Sequence, residues 1–148
     1  MSGLACTRKK EEEEDATQLK LGPDFNDKSC LSMAEVRLIC QSKVDDDEET
    51  GTETNTTQTR TFEKTLAYVR RFGGDTNAQA AGTLRELCQA RGLQDFETAA
   101  ITNLAPQNFE EAKTLVPSME AEHEGAARFG DADIQALLDE MSNVRKFE

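Results

Sequence analysis

The sequence predicts an all-α protein, a small helical bundle that carries an extended N-terminal arm. Three observations lead there. Apolar residues recur at helical spacing in segment after segment; capping signals open those segments and Gly or Pro closes them; one stretch alone, Thr17–Leu21, alternates at period two.

Residues 1–14 join an Arg8-Lys9-Lys10 cluster to four glutamates and almost nothing to bury, so a disordered acidic tail is expected. Three basic residues beside a glutamate run make weak support for a nuclear address, and a solvated tail is the simpler reading. Residues 15–44 hold the arm and a first helix. Thr17-Gln18-Leu19-Lys20-Leu21 reads as a half-buried strand, broken by Gly22-Pro23. No second strand is expected anywhere in the chain, and a lone strand cannot satisfy its own backbone. Two readings stand: the arm adds to the sheet edge of a partner, or it lies extended on its own helices.

Ser32-x-x-Glu35 is a capping box, and it opens a helix with Val36, Ile39, Cys40 and Lys43 along one side. Residues 45–60 follow as a flexible acidic, Thr-rich linker. The bundle domain takes residues 61–148. Phe62, Leu66 and Val69 form its first stripe, with Tyr68 and Phe72 alongside, and Gly73-Gly74 ends that helix. Thr76-x-x-Gln79 reads as a second capping box, before inward-facing Ala80, Leu84, Leu87 and Cys88 and a stop at Gly92. Two short helices come next. Phe96, Ala99 and Ala100 share a face of the first, which ends at Leu104 before Pro106. Asn108 and Glu111 start the second, which ends at Leu115-Val116 before Pro117. Proline lacks an N–H and forces the preceding residue extended, so both stops are sharp. An acidic connection, Glu120–Gly130, leads to a last helix with Asp131 as N-cap and Ile134, Leu137, Leu138, Met141 and Val144 as its stripe. Short connections imply antiparallel neighbours.

Composition narrows the function classes. The chain of 148 residues is 36% apolar and 31% charged with no Trp, lean for a self-sufficient core, so a partner is expected to cover part of its apolar surface. A formal charge of −12 argues against gripping a nucleic-acid backbone unaided. Cys6, Cys30, Cys40 and Cys88 lack metal-ligand spacing, and His123 is the only histidine, so no metal site is expected. The N-terminus lacks a signal-peptide core and no run spans a membrane, which predicts reduced thiols in nucleus or cytoplasm. No phosphate-cradling loop, nucleophile elbow or H-E-x-x-H is present. Gly73-Gly74-Asp75 reads as a C-cap followed by an N-cap, and Glu110-Glu111 and Asp139-Glu140 as solvated helix surface. No catalytic residue, cofactor or small-molecule substrate is therefore expected. Arg70, Arg71, Arg85 and Arg91 are the one basic cluster. They are read as surface ion pairs with Glu63, Glu86 and Asp75, with a weak auxiliary nucleic-acid contact left open.

Four pieces in order, EDATQLKLGPDF (14–25), LSMAEVRLI (31–39), FEKTLAYVRRF (62–72) with LRELCQARGLQDFE (84–97), and EAKTLVPSM (111–119), resemble one family. It is that of the fourth subunit of eukaryotic RNA polymerase II, the helical half of the stalk heterodimer. The related stalk subunit of RNA polymerase III is less similar at residues 14–25. The loop at 45–60 and an insertion at 121–127 depart from the pattern. The resemblance implies a bundle like those appended to some helicases (HRDC-like), docked on the seventh subunit with its RNA-binding OB-type barrel and on the polymerase clamp. RNA contact would fall mainly to that partner. It further implies that Leu19, Leu21 and Phe25 anchor the arm, that Val36 and Ile39 lie on a docking helix, and that Leu115, Val116 and Pro117 belong to a partner-facing apical loop. The expected role is non-catalytic support of initiation and nascent-RNA handling. A free acidic helical adaptor or chaperone for basic proteins is the competing reading.

Overall fold

A computed structural model describes residues 14–23, 25, 28–51, 59–123 and 126–146. The expected tail, save Glu14, lies outside these residues, as do Cys6 and the middle of the expected linker, 52–58. Among the described residues six α-helices form the fold: α1 (Met33–Thr50), α2 (Arg60–Phe72), α3 (Ala78–Ala90), α4 (Asp95–Leu104), α5 (Phe109–Leu115) and α6 (Asp131–Lys146). The all-α bundle is thus what the periodicity predicts. No helix among the described residues is long and apolar enough to cross a membrane.

The core lies among α3, α4, α5 and α6. Leu84, Ile101, Met119, Ile134 and Leu137 are its largest apolar side chains, all at 2% exposure or less. The stripe on α6 is confirmed: Ile134, Leu137, Leu138 and Met141 are buried, and Val144 packs at the margin. Cys88 sits on the same surface with its Sγ 3.9 Å from the Met141 sulfur. Burial pushes its thiol up to about 11, so it behaves as a small hydrophobe.

α1 and α2 form an antiparallel pair against this core. They meet where Gly73 passes the start of α1: a Cβ there would stand 2.5 Å from the Val69 carbonyl oxygen and 3.0 Å from that of Met33. Both obstacles are backbone, so the crossing demands glycine. Gly74 follows at φ +65°, where a side chain would be strained.

Five local expectations are corrected. Residues 17–21 do not run as a strand: Ala16–Gln18 is a 3-10 turn and Leu19 is left-handed at φ 62°. The Asp15 carboxylate accepts from the Thr17 amide at 2.9 Å. Asp15 and Lys20 exchange both backbone hydrogen bonds, at 2.8 and 3.0 Å, so the segment satisfies itself as a closed turn. Second, a short hairpin does exist, β1 (Glu122–His123) with β2 (Ala126–Ala127), within the 121–127 insertion. Third, α1 runs through the first part of the expected linker to Thr50. Gln41 donates to Asp45 at 2.8 Å, Lys43 pairs with Asp47 at 3.2 Å, and Gly51 closes the helix in the left-handed region. These i, i+4 links favour the helix over coil despite the acidic composition. Fourth, α3 is capped by Asn77, not Thr76; its side chain accepts from the Ala80 amide at 2.9 Å. Fifth, Asp131 is the first residue of α6 rather than its cap. The Gly130 carbonyl accepts from Ile134, and the Asp131 carboxylate instead accepts from Lys113.

Candidate partner-docking surface

Two features outside the hydrophobic core stand out: a set of apolar side chains left in solvent, and two ionic knots, one tying α3 to α1 and the start of α4, the other joining α4 to the turn after α5. On α1, Ile39 is 57% exposed while its neighbour Cys40 is buried. On α2, Tyr68 and Phe72 are one turn apart with ring centroids 4.7 Å from each other, and both are at least half exposed. Arg71 lies over the Phe72 ring at 5.2 Å. Such residues stay out of the core because α2 buries only Val69 fully. Phe25, ahead of α1, is likewise exposed.

The residues expected to meet a partner divide accordingly. Phe25, Ile39, Leu115 and Pro117 are exposed, and Leu19, Leu21 and Val36 are half-buried. Val116 is corrected: at 4% exposure it belongs to the core cluster. The residue caps α5 with its N–H on the Ala112 carbonyl and turns its side chain inward, unavailable to another chain.

The four arginines are not one patch. Arg70 donates to Gln41 at 2.6 Å, and Arg71 covers Phe72. Arg91 pairs with Glu140 on α6 at 2.6 Å. Arg85 forks onto Glu35, with Nη2 2.7 Å from Oε2, and also donates to the Cys30 carbonyl at 2.8 Å. Its Nη1 lies 3.5 Å from Asp95. The partners differ from those expected because sequence neighbours on one helix lost to acids arriving from α1, α4 and α6.

Glu35 does two jobs in the first knot. As the capping box predicts, it accepts from the Ser32 amide at 2.7 Å and hydroxyl at 2.8 Å, and it also holds Arg85. Burial alone raises its pKa, but the bonds from Arg85 and Ser32 outweigh that and hold the carboxyl below its ordinary value. A depressed carboxylate contributes stability that is present above its unfolded pKa and lost as pH falls through the folded one. Urea midpoints are therefore expected to drop on acidification below the ordinary Glu range, near the reference of 4.5. Glu35→Gln should flatten that part of the profile; superimposable profiles would contradict the assignment.

The second knot has no counterpart in the sequence reading. Glu97 is completely buried at the start of α4, with the Arg128 guanidinium on it at 2.7 and 3.1 Å. The Ser118 hydroxyl donates to the same carboxylate at 2.6 Å and the Gln94 amide at 2.7 Å. Arg128 also donates to the Ser118 carbonyl at 3.1 Å and the Gly92 carbonyl at 3.3 Å. This ties the α3–α4 connection, the 3-10 turn Pro117–Glu120 and the segment after the hairpin into one unit. The only sequence signal was a charged residue at an otherwise apolar, inward position of α4.

Among the described residues no group of three or more His, Cys, Asp or Glu side chains is placed to hold a metal ion. The arrangement offers surfaces and rigid supports for them. The family model for RNA polymerase Rpb4 matches residues 30–145. DNA-directed RNA polymerase II subunit 4 of Arabidopsis thaliana is 36% identical over 138 residues, covering 93% of this chain and 98% of that protein. Subunit rpb4 of Dictyostelium discoideum is 35% identical over 150 residues, covering 93% and 92%. Its namesake in Schizosaccharomyces pombe is 33% identical over 138 residues, covering 92% and 95%. With a match across nearly its whole length, the chain belongs to the RNA polymerase Rpb4 family.

Proposed function

We propose that the chain is a non-catalytic stalk subunit of nuclear RNA polymerase II. It pairs with the seventh subunit and, through it and the clamp, supports initiation and the handling of nascent RNA. The observation that carries this reading is the near full-length similarity to proteins named as polymerase II subunits. The exposed apolar residues of the arm and of α1 and α2 support a docked rather than a free protein, since each is hydrophobic area left in water. Phe25 and Ile39 are the anchors, with Leu19, Leu21 and Val36 as further contacts. The domain plan follows: an arm and docking helix ahead of the bundle. A permanent pairing of this kind buries more than the roughly 1,600 Å² of a standard interface.

Co-expression with the seventh subunit tests the reading. A 1:1 complex that survives size exclusion is the expected outcome, and Phe25→Ala with Ile39→Ala should weaken it. A stable monomer indifferent to that subunit, yet retained by histones at low salt, would replace this reading with the acidic adaptor.

A further inference from the structure

Ser42 is exposed on α1, and five acidic residues follow it without a break, Asp45 to Glu49, beginning at its third position downstream. No other serine or threonine of the chain is followed by acids at its third through seventh positions. Protein kinases select serines by the charge pattern that flanks them, and a substrate groove lined with basic side chains fits this one.

Two structural facts sharpen the pattern. First, the acids occupy the negative end of the helix dipole and no basic residue stands in the last turn of α1. The Gln41–Asp45 bond, the Lys43–Asp47 pair and the Gly51 cap help to offset this. Second, Ser42 lies three residues after Ile39, so helical spacing sets them side by side on the exposed strip.

We propose that Ser42 is a phosphorylation site for an acid-directed serine kinase, and that its phosphate weakens docking through Ile39. The Ser42 Oγ attacks the γ-phosphorus of ATP. An O–P bond forms, the bond from that phosphorus to the β,γ-bridging oxygen breaks, the hydroxyl proton passes to the kinase base, and ADP leaves. The product carries nearly two added negative charges next to Asp45 and Asp46 at i+3 and i+4, where like charges repel. It also sets a strongly hydrated group against Ile39, and closing an apolar partner surface there requires stripping that hydration. The effect on docking rests on the stalk reading; the modification itself does not.

The test treats the full chain with a purified acid-directed serine/threonine kinase and ATP and maps phosphate by mass spectrometry. One phosphate on Ser42 is expected, absent in Ser42→Ala and slowed in Asp45→Asn with Asp46→Asn, each variant checked for native helicity. No phosphate, or phosphate only elsewhere, overturns the site. The phosphorylated chain is then titrated with the seventh subunit, with affinity expected to fall by about tenfold. Equal affinity of both forms overturns the docking effect. If the unmodified chain fails to bind, the stalk reading falls, and the mass spectrum still decides the site.

Discussion

Arg128→Ala lowers the free energy of unfolding by about 3–5 kcal/mol, the range for removing one partner of a buried ion pair. The magnitude follows from what is left behind. Glu97 has no exposure to water, and without the guanidinium it keeps only the Ser118 hydroxyl and the Gln94 amide. The Gly92 and Ser118 carbonyls lose a donor as well. Lysine is a poor replacement, because the planar fork reaches both carboxylate oxygens and two carbonyls at once. Neutralising the orphan should recover part of the loss, so Arg128→Ala combined with Glu97→Gln is expected to be more stable than Arg128→Ala alone. Urea unfolding with an unchanged m-value is the measurement. A single variant within about 1 kcal/mol of the parent, the ordinary size of a surface change, would show that the knot is not a buried charge pair in solution.

Ile101→Ala should cost about 2–5 kcal/mol, and Ile101→Val only about 0.5–1.5 kcal/mol. Ile101 is fully buried on α4, where the core cluster joins α3, α5 and α6, so the deleted atoms leave a void in close-packed surroundings. Ile39→Ala provides the contrast. At 57% exposure it should shift the stability of the free chain by no more than about 0.5 kcal/mol. Comparable losses at the two positions would mean that Ile39 is packed inside the fold and is not a docking residue.

Legibility followed the range of the forces involved. The stripes of α2, α3 and α6 could be read because helical period and burial are the same physical fact, and the Ser32–Glu35 box because a cap needs only four residues. The two proline stops were legible for the same reason, although Ala105 ahead of Pro106 is left-handed at φ 50° where an extended residue was expected, and Pro117 also opens a 3-10 turn at its first position. The arm was misread because alternation records which side chains are apolar, whereas Asp15 and the left-handed Leu19 decide the backbone locally. The end of α1 was misread because composition outvoted the i, i+4 links from Gln41 and Lys43. Nothing local could have joined Glu97 to Arg128 across 31 positions of sequence. Similarly, Arg85 and Arg91 found acids that lie 50 and 49 residues away. Ile39 and Phe25 could be singled out as candidate contacts, but the inward turn of Val116 could not, because the rotation of one residue at a helix end depends on what α5 packs against.

The closed turn at Asp15–Lys20 bears on the life of the chain before assembly. A strand awaiting a neighbour is a template to which the same segment of another chain can add. By returning its backbone groups to one another, the arm removes that template from the unassembled molecule. What reads in the sequence as a segment made for pairing is, in the free protein, a segment kept from pairing with its own kind.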